Sequence, residues 1–385
     1  MLKNFWYAIA FSDEVTEKPR RITALGQELV VYRDSQNKAV VMSDLCVHRG
    51  GALSEGWTKG DCIVCPYHGW QFKQDGACVK IPSFPDQERA IPRKARVDSY
   101  PAQEVYGYVW AFLGDIPESE RPSLPPLPEW GNENYRVIHG NYNWDVDYTR
   151  AVENGMDIAH APFVHSGSFG NKEKPEVEFY EVEHEILGGL ATVTLEPPPA
   201  KGIWRFLYRK ERPGVKTTGG FYMPNVTRLH VRLPIGNMVI FTAHLPVEDG
   251  KTISKWTMFR EFFKQSIFDG DSVRRVVKIF NEDLPTVSSQ RPELLPYDLA
   301  AELHVPSDQV QIAYRKLRNQ FIDKGYGIDT HRIQTEFANK KAVVIPSPAR
   351  REIPELAQAW VMKEVPTRKG GRDGGNSTSN DNGAE

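Results

Sequence analysis

Residues 46–50 read Cys-Val-His-Arg-Gly and residues 65–70 read Cys-Pro-Tyr-His-Gly-Trp, with sixteen residues between His48 and Cys65. Each arm offers one thiolate and one imidazole: Cys46 with His48, and Cys65 with His68. An iron–sulfur cluster of mixed ligation needs that set, two thiolates on one iron and two imidazoles on the other. Gly50 and Gly69 let each arm turn tightly, and Trp70 can screen the cluster from water. A zinc site is the alternative, because Cys62-Ile-Val-Cys65 is also a Cys-x-x-Cys and raises the potential ligands to five. A zinc knuckle would not need both a Cys-x-His and a Cys-x-x-His-Gly-Trp arm, so the cluster is preferred. Cys62, in a stretch of strand, and Cys78, in the next hairpin, read as packed thiols.

The surrounding sequence is a run of hairpins. Glu28–Arg33 and Ala39–Asp44 flank Asp34-Ser-Gln-Asn37, Trp70–Phe72 and Ala77–Val79 flank Gln74-Asp-Gly76, and Glu104-Val-Tyr-Gly107 turns into the apolar strand Tyr108–Leu113. Residues 1–116 are therefore expected to form an all-β domain whose loops carry the two arms. Prolines 117, 122, 125, 126 and 128 exclude helix and central strand, so 117–134 reads as a semi-rigid linker. Residues 135–350 mix the two periodicities and make the chain α+β overall. Antiparallel strands are expected near 176–186, 190–196, 218–223, 226–233, 237–246 and 252–261. A helix over 273–289 repeats Val273, Val276, Val277, Phe280, Leu284 and Val287, and another runs from Ser307 to Gly325. Residues 351–385 form a C-terminal extension, too polar to pack from about 368.

A second constellation opens that domain: Glu153-Asn-Gly-Met-Asp157-Ile-Ala-His160-Ala-Pro-Phe-Val-His165. On a helix over roughly Tyr148–Ala161, Glu153, Asp157 and His160 share a face. Pro162 would break the ladder and bring His165 round. Two histidines need one carboxylate to complete a facial triad for iron(II). Asp283 lies on the apolar face of the 273–289 helix, where an acid is costly unless paired or metal-bound, whereas Glu282 lies off it.

Composition narrows the setting. The chain has 385 residues, 40% hydrophobic and 25% charged, with net charge −2, so no global field draws nucleic acid or anionic membrane. Four cysteines make no disulfide scaffold. The start, Met1-Leu-Lys-Asn-Phe-Trp-Tyr-Ala-Ile-Ala-Phe-Ser-Asp-Glu, reads neither as signal peptide nor membrane span, which leaves the cytoplasm as the expected compartment. No Gly-x-Gly-x-x-Gly stands in a strand–turn–helix setting, so electrons must come from a partner. Trp204, Phe206, Tyr208, Phe221, Tyr222, Phe241, His244 and Trp256 are divided between core and a possible substrate cavity. Arg228, His230 and Arg232 read as a sheet's solvated face, with an anionic substrate as the alternative.

Taken together, Cys-Val-His-Arg-Gly, Cys-Pro-Tyr-His-Gly-Trp and Glu-x3-Asp-x2-His-x4-His resemble the Rieske non-haem iron oxygenases, over nearly the whole chain to about Asp329. Val47 replaces the proline often found between the first cysteine and histidine; it is not a ligand. The resemblance implies a helix-grip catalytic domain, an antiparallel sheet over a long C-terminal helix. It implies a Rieske [2Fe-2S] cluster on Cys46, His48, Cys65 and His68, and a mononuclear Fe(II) on His160, His165 and a late carboxylate, taken as Asp283 with Glu282 as the alternative. It makes Asp157 a bridge between His160 and His68 of a neighbouring subunit in a homotrimer. O2 would be the co-substrate, and NAD(P)H would act indirectly through a reductase or ferredoxin. Chain length and Glu302-Leu-His-Val-Pro-Ser-Asp-Gln with the later Ala-Tyr-Arg-Lys resemble the monooxygenase and demethylase branch, acting on small aromatic, heterocyclic or alkaloid-like molecules. A ring cis-dihydroxylating dioxygenase and a plain electron carrier are the competing readings.

Overall fold

The computed structural model describes residues 1–85, 90–178, 180–198, 214–338, 340–356 and 359–370. Trp204, Phe206 and Tyr208 lie outside the described residues, as does the tail beyond 370.

The N-terminal hairpins form where the turn residues demand them. Asp34 Oδ1 accepts from the N–H groups of Gln36 and Lys38 at 2.8 and 2.9 Å, closing the turn between strands Gln27–Arg33 and Ala39–Ser43. Tyr106 and Gly107 both take positive φ, 60° and 75°, as a tight hairpin between Ala102–Val105 and Tyr108–Leu113 requires. Two four-stranded sheets and one three-stranded sheet result. The Cys46 arm leaves strand Ala39–Ser43, and the Cys65 arm joins Cys62–Val64 to Gln71–Lys73.

The following domain is built on a seven-stranded antiparallel sheet. Its spatial order is Arg136–Trp144, Lys251–Arg260, Gly236–Glu248, Val226–Leu233, Val215–Tyr222, Gly188–Leu195, Glu183–Glu185. Helix α1 (Tyr148–Met156) crosses the middle strands. A four-residue helix α2 (Ala161–Val164) follows it. Helix α3 (Asp269–Val287) packs against the edge strand Arg136–Trp144, its Val276 clustering with Ile138 there and with Trp256 and Met258 of the next strand. Helix α4 (Gln309–Asp323) packs toward the other end of the strand order, against Gly188–Leu195 and Val215–Tyr222, and touches α1 as α3 does. The sequence expectation of a sheet with helices holds, and the expected strands are present except near 176–186, where only Glu183–Glu185 forms one. The strand Arg136–Trp144 adds to them: Ile138, Gly140, Tyr142 and Trp144 are more buried than His139, Asn141 and Asn143, a period of two.

The two halves share core. Trp6, Phe11, Tyr108, Trp110 and Phe112 of the small sheet pack against Tyr222, Val239, Phe241 and Phe259 of the large one. Between them the proline-rich segment is docked on both sides. Trp6 Nε1 donates to Pro122 O at 2.9 Å, Leu127 is buried, and Trp130 meets Phe259 edge-on. The chain then returns to the N-terminal domain. Arg350 grips Asp98 with two bonds of 2.8 and 2.6 Å, Tyr100 donates to Ile345 O at 2.7 Å, and Thr367–Arg368 pairs with Gly327–Ile328.

Candidate metal centres

Asp147 caps α1, its carboxylate accepting from Thr149 N–H at 2.9 Å. The helix ends at Met156, and Asp157 is extended at φ −72°, ψ 133°. The expectation of one helix to Ala161 with a shared face is thus corrected: the polar Asp157 side chain turns the backbone out of helix by accepting from Ala159 N–H at 2.9 Å. Pro162 does not break a helix either. It sits in the first turn of α2, where no N–H is needed, and His160 and His165 bracket that helix.

The result is a compact triangle. His160 Nε2 and His165 Nε2 are 3.2 Å apart, and they lie 3.4 and 3.2 Å from Oδ1 of Asp283 on α3. Among the described residues, these three form the single group of three or more His, Cys, Asp or Glu donors within 4.8 Å of one another. His165 and Asp283 side chains are only 3% and 5% exposed. Asp283 Oδ1 is buried without a hydrogen bond of good geometry, an orphan that a metal ion would satisfy. Burial would raise the Asp283 carboxyl, but contacts from His160 and His165 outweigh it and hold it low. Burial disfavours charge on His160, yet Asp157 and Asp283 lift its ring to about 9. Two imidazoles and one carboxylate converging in this way suit a divalent iron.

Behind each histidine stands a second carboxylate. Asp157 Oδ2 lies 3.4 Å from His160 Nδ1, and Glu282 Oε2 lies 2.9 Å from His165 Nδ1. Asp283, not Glu282, faces the triangle.

The sulfur–imidazole arms are two copies of one loop. Cys46 N–H donates to Gly51 O, and Gly50 N–H to Cys46 O; Cys65 N–H donates to Trp70 O, and Gly69 N–H to Cys65 O, all at 2.8–2.9 Å. Gly50 and Gly69 both stand at φ +70°, which explains glycine at each. The loops bring cysteine to cysteine and histidine to histidine. The Cys46 thiol donates to Cys65, whose own thiol that contact and the Tyr67 and His68 N–H groups hold at about 6. The His48 and His68 rings are 4.6 Å apart, and Trp70 stacks on His48 at 4.5 Å. Zinc would gather its donors around one point; a pair of thiols beside a pair of imidazoles suits a two-iron cluster. Cys78 is buried in the core as expected, whereas Cys62, on its strand beside Lys59 and Lys73, is only half-buried.

Other expected residues are spoken for. Glu153 is bound by Arg315 at 2.5 and 2.8 Å, and Arg315 and Arg150 both reach Glu302. The Glu302 and Ala-Tyr-Arg-Lys segments thus brace α1 from α4. Arg228 pairs with Glu129, His230 bonds Asn237, and Arg232 donates to Thr218, so these three bond within the protein. Sequence reasoning did not find the buried chain Trp144–Ser254–His244–Thr227, linked at 2.8, 2.8 and 2.9 Å, directly under Gly155 of α1. A Cβ at Gly155 would stand 2.9 Å from Thr227 Oγ1, so glycine permits the close approach.

Two domain families match the chain: the Rieske [2Fe-2S] domain over residues 5–101 and the vanillate O-demethylase oxygenase C-terminal domain over 144–324. The chain belongs to the Rieske non-haem iron oxygenases. This oxygenase is 28% identical to the methylxanthine N1-demethylase NdmA of Pseudomonas putida, over 82% of this chain and 88% of that protein. It is 26% identical to the vanillate O-demethylase oxygenase subunit of Pseudomonas sp. (strain HR199 / DSM 7063), over 77% and 87%. The structure of Pseudomonas putida CBB5 NdmA with caffeine superposes with a TM-score of 0.71 at 27% identity, covering 83% of this chain and 91% of that one. No helix among the described residues is long and apolar enough to cross a membrane.

Proposed function

We propose that this Rieske oxygenase is the terminal component of a system that hydroxylates or oxidatively demethylates a small aromatic or heterocyclic molecule. The observation that carries the reading is the triangle of His160, His165 and Asp283. It turns a Rieske domain into an oxygenase, because an electron carrier would have no use for a second buried donor set. His160, His165 and Asp283 would hold the mononuclear iron, and Cys46, Cys65, His48 and His68 the cluster. Together these groups, when bound, relay electrons from a reductase or ferredoxin and activate dioxygen. The protein's own part is to aim Nε2 of His160, Nε2 of His165 and Oδ1 of Asp283 at one another within 3.4 Å and to hold Asp283 ionised. In a demethylation, substrate methyl, O2, two electrons and two protons become hydroxymethyl and water, and a hydroxymethyl on nitrogen or oxygen then departs as formaldehyde.

The homotrimer belongs to the same reading. His68 is exposed and the Asp157 side chain is 28% exposed, so both are open to a second copy of the chain. The test is reconstitution with a reductase and NAD(P)H against N-methylated heterocycles and O-methylated aromatics. Formaldehyde in equal amount to demethylated product is expected. A cis-diol as the main product would replace the reading with ring dihydroxylation.

A further inference from the structure

His160 and His165 are held in different ways. Asp157 stands 3.4 Å behind His160, and its other oxygen is taken by the Ala159 N–H. Glu282 stands 2.9 Å behind His165 and is itself fixed. Its Oε1 accepts from Ser168 Oγ at 2.7 Å and faces Lys278 Nζ at 3.5 Å. The His165 ring also stacks on Phe169 at 4.8 Å. One face of α3 thus clasps the whole segment from His165 to Phe169, while the adjacent position, Asp283, turns to the triangle. The Glu282 carboxylate is on the Nδ1 edge of the imidazole, away from the Nε2 atom that faces Asp283, so it is placed to orient the ring and not to ligate.

We propose that Glu282 is a positioning residue for the mononuclear site. It receives the Nδ1–H of His165, fixing the tautomer that presents the Nε2 lone pair to iron, and Ser168 and Lys278 keep the carboxylate in place. A carboxylate behind a metal-binding histidine fixes ring orientation and raises its basicity, and its loss typically weakens metal binding about 10–100-fold. The His165 arm is then the anchored half of the site, set before iron arrives.

The inference rests on His165 being a ligand, and one experiment separates the two ideas. The mononuclear site of the full-length protein is emptied and titrated anaerobically with Fe(II), read by metal analysis and by the EPR signal of the nitric oxide adduct. Glu282→Ala is expected to weaken Fe(II) binding about 10–100-fold and alter the adduct line shape, with the cluster's visible spectrum unchanged. Glu282→Gln should fall between Glu282→Ala and wild type, and Ser168→Ala should lose a few-fold. Wild-type affinity and line shape in Glu282→Ala would overturn the proposal. If Glu282→Ala fails to fold by circular dichroism, unchanged binding in both Glu282→Gln and Ser168→Ala overturns it instead. His165→Ala is the control: iron retained there would sink the ligand assignment itself, whatever Glu282 does.

Discussion

Asp157 Oδ2 and His160 Nδ1 stand 3.4 Å apart beside the His160–His165–Asp283 triangle, with the carboxylate partly open to solvent. The carboxylate touches an imidazole but not the other two donors, so its charge serves His160 and whatever docks outside. Asp157→Asn should retain both metals by analysis and EPR while turnover falls at least about 10–100-fold. Loss of iron on a par with His160→Ala would make Asp157 part of the donor set.

The residues that meet were legible in the sequence, but the route by which they meet was not. Cys46, His48, Cys65 and His68 are carried by two short loops whose glycine turns can be read locally. His160 and His165 were found for a reason that failed: the helix stops at Met156, because Asp157 bonds its own turn instead of continuing the ladder. Asp283 was found because an acid on an apolar helix face needs a partner. Glu282 was placed off the apolar face and kept as the alternative ligand, since nothing in a helical pattern shows that His165 and Ser168 bond to it. Among the described residues of 117–134 the only helix is a 3-10 turn at Glu118–Glu120, and the docking of Pro122 on Trp6 and of Trp130 on Phe259 depends on sheets far away in sequence.

The brace between α4 and α1 is open to a stability measurement. Arg315 has a side chain 5% exposed and bonds both Glu153 and Glu302. Removing it leaves Glu153 and Glu302 to Arg150 alone, so the cost should stay below the about 3–5 kcal/mol of leaving a buried charge unpaired. Arg315→Ala should lower the urea midpoint accordingly, and Arg315→Lys should recover only part, because lysine cannot make the paired bonds.

His244 offers a pH signature. It is fully buried between Thr227 and Ser254, and burial pushes its pKa down to about 3 from the ordinary 6.5. The neutral ring is stable in the fold, whereas the unfolded chain takes up a proton below about 6.5. The associated stability is complete above that pH and is lost as pH falls toward about 3. Between pH 6 and 4 the wild type should lose about 1.4 kcal/mol per pH unit more than His244→Gln in paired urea titrations. Parallel slopes would mean that His244 is protonated in the native state.

Complementation addresses the neighbouring subunit. Chains carrying Cys46→Ser lack the cluster and chains carrying His160→Ala lack the mononuclear iron, so each alone should be inactive. Mixed oligomers should regain part of the activity if His68 of one copy serves Asp157 of the next. No recovery, with mixing verified by mass, would place the electron path within one chain.

Two separate metal centres are the core of the account, and EPR of one pair of samples tests it most directly. Reduced wild type should give a Rieske signal and, with nitric oxide, a high-spin iron–nitrosyl signal; His160→Ala should keep the first and lose the second. Colourless wild type with bound zinc, or a nitrosyl signal undiminished in His160→Ala, would contradict the assignment.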